Sequence, residues 1–214
     1  MDTALKKSFD RRFAAIRTLD RDQLIPVSDQ AGVTLMDAAP GSFFTCLSRT
    51  YAVQEVNPYQ EMDEDFSTPQ DYVVTELTCL CLETGETVHF EWEYDDELEV
   101  SLTLEQIRFR QLADDQGQAV DEDDLDQIIK DKDAVVYDGR TFWYEDDWAA
   151  LYRRGSKTEK VYMIEFENEA GNRFLTVEEW TGSGRDSYRI YLSQPVDPGQ
   201  ITLLSKGVSR DEAS

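Results

Sequence analysis

Residues 83–99, Glu-Thr-Gly-Glu-Thr-Val-His-Phe-Glu-Trp-Glu-Tyr-Asp-Asp-Glu-Leu-Glu, constrain this chain more than any other stretch. Val88, Phe90, Trp92 and Tyr94 alternate with His89, Glu91 and Glu93. Successive side chains of a strand point to opposite faces, so this period of two predicts a strand with an apolar buried face and an acidic wet one. Glu83-Thr84-Gly85 predicts a tight hairpin from a preceding long strand at residues 72–82, whose two faces are both largely apolar, as a central or covered strand requires. After Asp95-Asp96-Glu97, the residues Leu98, Val100, Leu102 and Leu104 alternate again. Three hairpin-linked strands are expected, and with them a mainly β fold of antiparallel meander or barrel-like sheets.

The rest of the chain fits two similar β-rich halves. Residues 1–22 read as a basic amphipathic helix, 23–112 as the first half, 113–133 as an acidic linker with a short helix, 134–205 as the second half and 206–214 as a polar tail. In the first half, 24–41 is a connector broken by Pro26, Gly32 and Pro40-Gly41, with a short strand at 33–36. Short strands are expected at 43–47 and 51–56, the latter ended by Asn57-Pro58, then a loop at 61–70 and a further strand at 107–112. In the linker, Asp121-Glu122-Asp123-Asp124 stands where a helix N-terminus welcomes negative charge, and Leu125, Ile128 and Ile129 give that helix one apolar edge. Asp138-Gly139 between apolar runs predicts a hairpin joining 135–137 to 141–144. Strands at 161–167, 173–180, 188–192 and 201–204 follow.

Charge bears on function more than length does. The 214 residues can bury one substantial core or two small ones, and 45 acidic against 21 basic residues leave −24. Such a body disfavours phosphate backbones and anionic membranes and favours basic partners or cations. Residues 2–21 are the exception: six basic and three acidic residues make them +3, leaving −27 on the remainder. Leu5, Phe9, Phe13 and Ile16 share one face of that helix, which either packs on the acidic body or meets a partner or membrane surface. Cys46, Cys79 and Cys81 are odd in number and follow no charged-then-apolar leader, so the reducing cytoplasm is expected. Cys79 and Cys81 have no second cysteine pair with which to form a zinc site and read as buried strand cysteines.

Both halves carry the same order of parts: an aromatic strand, a loop, a long strand, an acidic turn with one Gly, a glutamate-rich strand and two closing strands. Glu83-Thr84-Gly85 matches Glu169-Ala170-Gly171. Tyr51-Ala52-Val53, the 76–96 block with its Phe-Glu-Trp-Glu-Tyr-Asp-Asp, and the 165–180 block resemble the uncharacterised bacterial family named domain of unknown function 4178. The resemblance implies a small β-rich domain in a bacterial protein, sometimes associated with envelope-stress systems, and brings no catalytic residues.

Chemistry is sparse. His89, Glu91 and Glu93 at i, i+2 and i+4 are a weak candidate metal set, and solvent-facing glutamates on an amphipathic strand are the ordinary alternative. His89 is the one histidine, it lies among glutamates, and no Gly-x-Ser-x-Gly elbow accompanies it, so nucleophilic catalysis is not expected. Gly182-Ser183-Gly184-Arg185 joins two predicted strands and reads as a hairpin turn, not a phosphate loop. Trp143, Tyr144, Trp148 and Tyr152 crowd Glu145-Asp146-Asp147; Trp143 is assigned to the core, while Trp148 and Tyr152 sit at helical spacing on a short segment ended by Arg153-Arg154-Gly155. The expected function is a non-enzymatic acidic adaptor that engages a basic protein partner through Glu91, Glu93, Asp95, Asp96, Glu145, Asp146, Asp147, Trp148 and Tyr152. The alternatives are a metal-dependent hydrolase using clustered carboxylates and a nucleic-acid-mimicking inhibitor. No cofactor and no direct DNA or RNA binding are expected, and membrane contact is expected only through residues 2–21.

Overall fold

A computed structural model describes residues 3–114, 116–181 and 187–207. Among the described residues the chain is mostly β: twelve antiparallel strands, with an N-terminal helix α1 (Thr3–Arg17) and a short helix α2 (Glu122–Asp131). The strands are β1 (Phe43–Cys46), β2 (Arg49–Met62), β3 (Pro69–Cys81), β4 (Thr87–Tyr94), β5 (Leu98–Ile107), β6 (Leu112–Ala113), β7 (Ala134–Tyr137), β8 (Arg140–Arg154), β9 (Lys157–Asn168), β10 (Phe174–Thr181), β11 (Ser187–Pro195) and β12 (Thr202–Ser205). Their order in the sheet is β12-β1-β2-β3-β4-β5-β11-β10-β9-β8-β7-β6, and β2 pairs additionally with β8.

Local chemistry explains where the elements depart from expectation. No strand forms at 33–36. Thr34 Oγ1 accepts from the Met36 N–H at 3.3 Å and Asp37 accepts from the Thr34 N–H at 2.9 Å, a reciprocal cap that closes a 3₁₀ turn at Leu35–Asp37 instead. β2 does not stop at Asn57-Pro58. Pro58 falls between the residues paired with β1, 49–52, and those paired with β8, 59–62, where a missing N–H costs no bond to either strand. The expected loop at 61–70 shrinks to the turn between β2 and β3. There Asp63 accepts from the Ser67 hydroxyl and from the N–H groups of Ser67 and Thr68, which lower its carboxyl to about 2. The strand expected at 107–112 is split: β5 runs on to Ile107, and Phe109–Gln111 is a 3₁₀ turn in which Arg108 N donates to Gln111 Oε1 at 3.0 Å.

The largest departure is β8. The acidic run and the residues at helical spacing after it are one strand, paired with β9 from Phe142 to Arg154. The register slips between Tyr144 and Asp146, which makes Glu145 the extra residue of a bulge. Trp143 and Trp148 would face opposite ways on an unbroken strand; the extra residue puts them on the same face and puts Asp147 on the face of Tyr144.

The chain forms two compact units, residues 1–57, 74–100 and 196–214 in the first, and 58–73 and 101–195 in the second. The first is centred on three aromatics. Phe44 stacks on Tyr51 at 5.2 Å, and both meet Phe90 edge-on at 5.1 and 4.9 Å. All three are buried, each ring contributing roughly 1.5–3 kcal/mol by leaving water. A separate cluster of Phe43, Ala52 and Leu80 is capped by Ala15 of α1. Arg12 Nη1 reaches the carbonyls of Leu82 and Glu83 at 3.4 and 3.3 Å, and Arg11 Nη2 donates to Thr87 Oγ1 at 2.8 Å. The turn below has to be glycine: Gly85 has φ +74°, and a Cβ there would lie 2.1 Å from Ser8 Oγ. The three cysteines are free and buried in β1 and β3, and burial pushes the Cys46 thiol up to about 11.

In the second unit the interior mixes aliphatic and aromatic side chains. Val135, Phe142, Ile164, Phe166, Leu175, Val177 and Ile190 pack together with Leu125 and Ile128 of α2, so the apolar edge expected for that helix is the one it buries. Among the described residues no helix is long and apolar enough to cross a membrane.

Candidate functional site

On β3 and β4 of the first unit, Glu76 lies opposite Glu91 and Thr78 opposite His89. Glu76 is buried, 9% exposed, and such a carboxylate needs donors. Asn57 Nδ2 donates to its Oε1 at 3.0 Å, Thr78 Oγ1 lies 3.4 Å from the same oxygen, and His89 Nδ1 lies 3.1 Å from Oε2. His89 is thus turned to Glu76, and among the described residues no three His, Cys, Asp or Glu side chains gather as metal ligands. The strand face expected to be wet is half-buried along His89, Glu91 and Glu93.

Further along β4 the acids meet one another. Glu93 is half-buried, and its carboxyl is held above the usual carboxylate range by burial first, then by Glu99 and Asp95. Past it, Tyr94 is 56% exposed and Asp95, Asp96 and Glu97 are all exposed at the turn into β5. Like charges this close repel, and a guanidinium or ammonium entering among them would relieve that repulsion.

In the second unit two carboxylates, Glu178 and Asp147, are held by donors of that unit. Glu178 of β10 is 3% exposed; it accepts from Tyr59 Oη at 3.1 Å and from Trp180 Nε1 at 2.7 Å. Tyr152 packs its ring at 4.6 Å from Tyr59 and edge-on at 5.2 Å to Trp180. Asp147 accepts from the hydroxyls of both Tyr144 and Tyr162, and those two phenols are pushed up by burial and then by this hydrogen bond. Trp148 is buried edge-on to Tyr72 at 5.5 Å. The assignment of the tryptophans is therefore reversed: Trp143, expected in the core, is 55% exposed, whereas Trp148 is 8% exposed. Of the residues expected to bind from this half, Glu145 and Asp146 are exposed, Asp147 is half-buried against the two tyrosines, and Trp148 and Tyr152 are core.

Between residues 39 and 198 the chain matches the model of a domain of unknown function, DUF4178. It belongs to the DUF4178 family. No curated protein and no solved structure matches it. The DUF4178 match takes in β1 to β11, with both buried glutamates and the β4–β5 turn, and leaves α1 and β12 outside. Gly182-Ser183-Gly184-Arg185, read as a hairpin turn, lies outside the described residues. The two buried glutamates were missed as a pair of centres, although a signal existed: Glu76 interrupts Val73-Val74-Thr75-Glu76-Leu77, and a charge in a strand apolar on both faces is kept only with partners.

Proposed function

We propose that this DUF4178 member is a non-enzymatic adaptor that captures a basic segment of a protein partner on the turn between β4 and β5. The observation that carries the reading is the crowding of Glu93 by Glu99 and Asp95, which leaves a half-buried carboxylate with a raised proton affinity at the edge of the exposed acidic turn Asp95-Asp96-Glu97. A site that binds a proton too readily for its own charged neighbours binds a lysine or arginine for the same reason. Three free, buried thiols fit a bacterial cytoplasm, where such thiols stay reduced. Titration calorimetry of the full chain with an arginine- and lysine-rich peptide tests the reading. Binding should weaken steeply with salt, and the triple substitution Glu93→Gln, Asp95→Asn, Glu99→Gln should weaken it by roughly tenfold or more, as loss of charge pairs at a contact does. Equal binding by the triple variant refutes it.

A further inference from the structure

We propose that α1 is an interfacial anchor for an anionic lipid surface. Leu5, Phe9, Phe13 and Ile16 recur at helical spacing along one face, are 45–57% exposed, and α1 buries no residue of its own. Phe9 and Phe13 stack at 5.9 Å, and the Arg17 guanidinium lies 4.3 Å over the Phe13 ring. The helix is fastened by a different face, through Ser8, Arg11, Arg12 and Ala15, so the apolar stripe stays open while α1 is docked on its own unit.

Charge selects the occupant. Thr3–Arg17 carries five basic residues and one acidic residue, +4 in a chain of −24, so the stripe is framed by the positive charge of an otherwise negative protein. An anionic headgroup layer complements both parts, taking the phenylalanines to shallow depth and pairing with Lys6 and Arg17, which flank the stripe. A protein cleft closing round the helix would have to displace the face already bolted down, whereas a bilayer surface asks for one side only. Four apolar anchors make the attachment reversible. This surface is separate from the β4–β5 turn and does not rest on its role.

Co-sedimentation of the full chain with vesicles decides it, using phosphatidylcholine alone and phosphatidylcholine mixed with phosphatidylglycerol. The protein should sediment with the mixed vesicles, be released by salt, and stay in solution with phosphatidylcholine alone. Phe9→Ser with Phe13→Ser, both at exposed positions, should reduce sedimentation by roughly tenfold or more, as loss of the inserted side chains predicts, and Lys6→Glu with Arg17→Glu should reduce it further at low salt. The β4–β5 triple variant should sediment like the parent. No sedimentation with anionic vesicles at low salt, or equal sedimentation of the Phe9, Phe13 variant, overturns the proposal. So does a self-association of the parent chain in sedimentation velocity that the same phenylalanine substitutions abolish, since the stripe would then be covered by a second copy.

Discussion

The end of β4 and the acidic strands of the second unit use their carboxylates in opposite ways. In the second unit each prominent acid is satisfied from within: Glu178 by Tyr59 and Trp180, Asp147 by Tyr144 and Tyr162. In the first unit the acid at the end of β4, Glu93, faces Glu99 and Asp95, and burial adds to the strain on its charge. Acids saturated with donors hold the fold together; acids crowded against one another weaken it and gain only when a cation arrives. The contrast, more than the abundance of carboxylates, singles out the β4–β5 turn.

The contrast makes substitutions of similar chemistry move stability in opposite directions. Glu178→Ala leaves a buried Tyr59 hydroxyl and Trp180 N–H without their acceptor and should lower the unfolding free energy by about 2–4 kcal/mol, read by urea denaturation. Asp147→Ala, at a half-buried position, should cost about 1–2 kcal/mol. It should also bring part of the tyrosine titration, followed by absorbance, down toward the ordinary phenol range, because Tyr144 and Tyr162 lose the carboxylate that holds their protons. Glu93→Gln should instead stabilise by about 0.5 kcal/mol at neutral pH, the scale of a partly exposed charge contact.

The sign of that gain follows from linkage. The folded protein holds the Glu93 proton more tightly than the unfolded chain does, so the stability this proton contributes is present below the unfolded carboxyl range and is lost as pH rises through the raised folded value. The advantage of Glu93→Gln should therefore shrink as pH falls toward 4.5, the ordinary glutamate value, and a gain that grew instead would contradict the crowding account. Smallest of all, Trp143→Ala should change stability by less than about 0.5 kcal/mol because the ring is exposed, while Trp148→Ala should cost about 3–5 kcal/mol. Equal effects at the two tryptophans would contradict the exposure of Trp143 and the packing of Trp148 against Tyr72.

The fold was legible wherever one period ran unbroken. β4 and β5 follow from strict alternation, α2 from Leu125 and Ile128, and the Gly85 turn from its glycine. Legibility failed where one residue reset the count. Glu145, the extra residue in β8, disguised a strand as a helical segment and put Trp143 and Trp148 on one face, where only Trp148 is buried, against Tyr72. Pro58 looked like a terminator because the sequence does not tell that β2 changes partner there. The acids at 93–96 were visible as candidates, but their distinction from Asp147 was not, since that depends on Tyr162, on another strand, reaching the Asp147 carboxylate. The open face of α1 was equally hidden, because its amphipathic pattern fits docking by the apolar side, whereas Arg11, Arg12 and Ser8 make the contacts.

The most direct test of the adaptor reading is to follow backbone amide resonances of the full chain while an arginine- and lysine-rich peptide is added. Shifts concentrated at residues 91–99, removed by salt and by the Glu93→Gln, Asp95→Asn, Glu99→Gln variant, are the predicted result. Shifts centred on residues 145–147, or none anywhere, would contradict it.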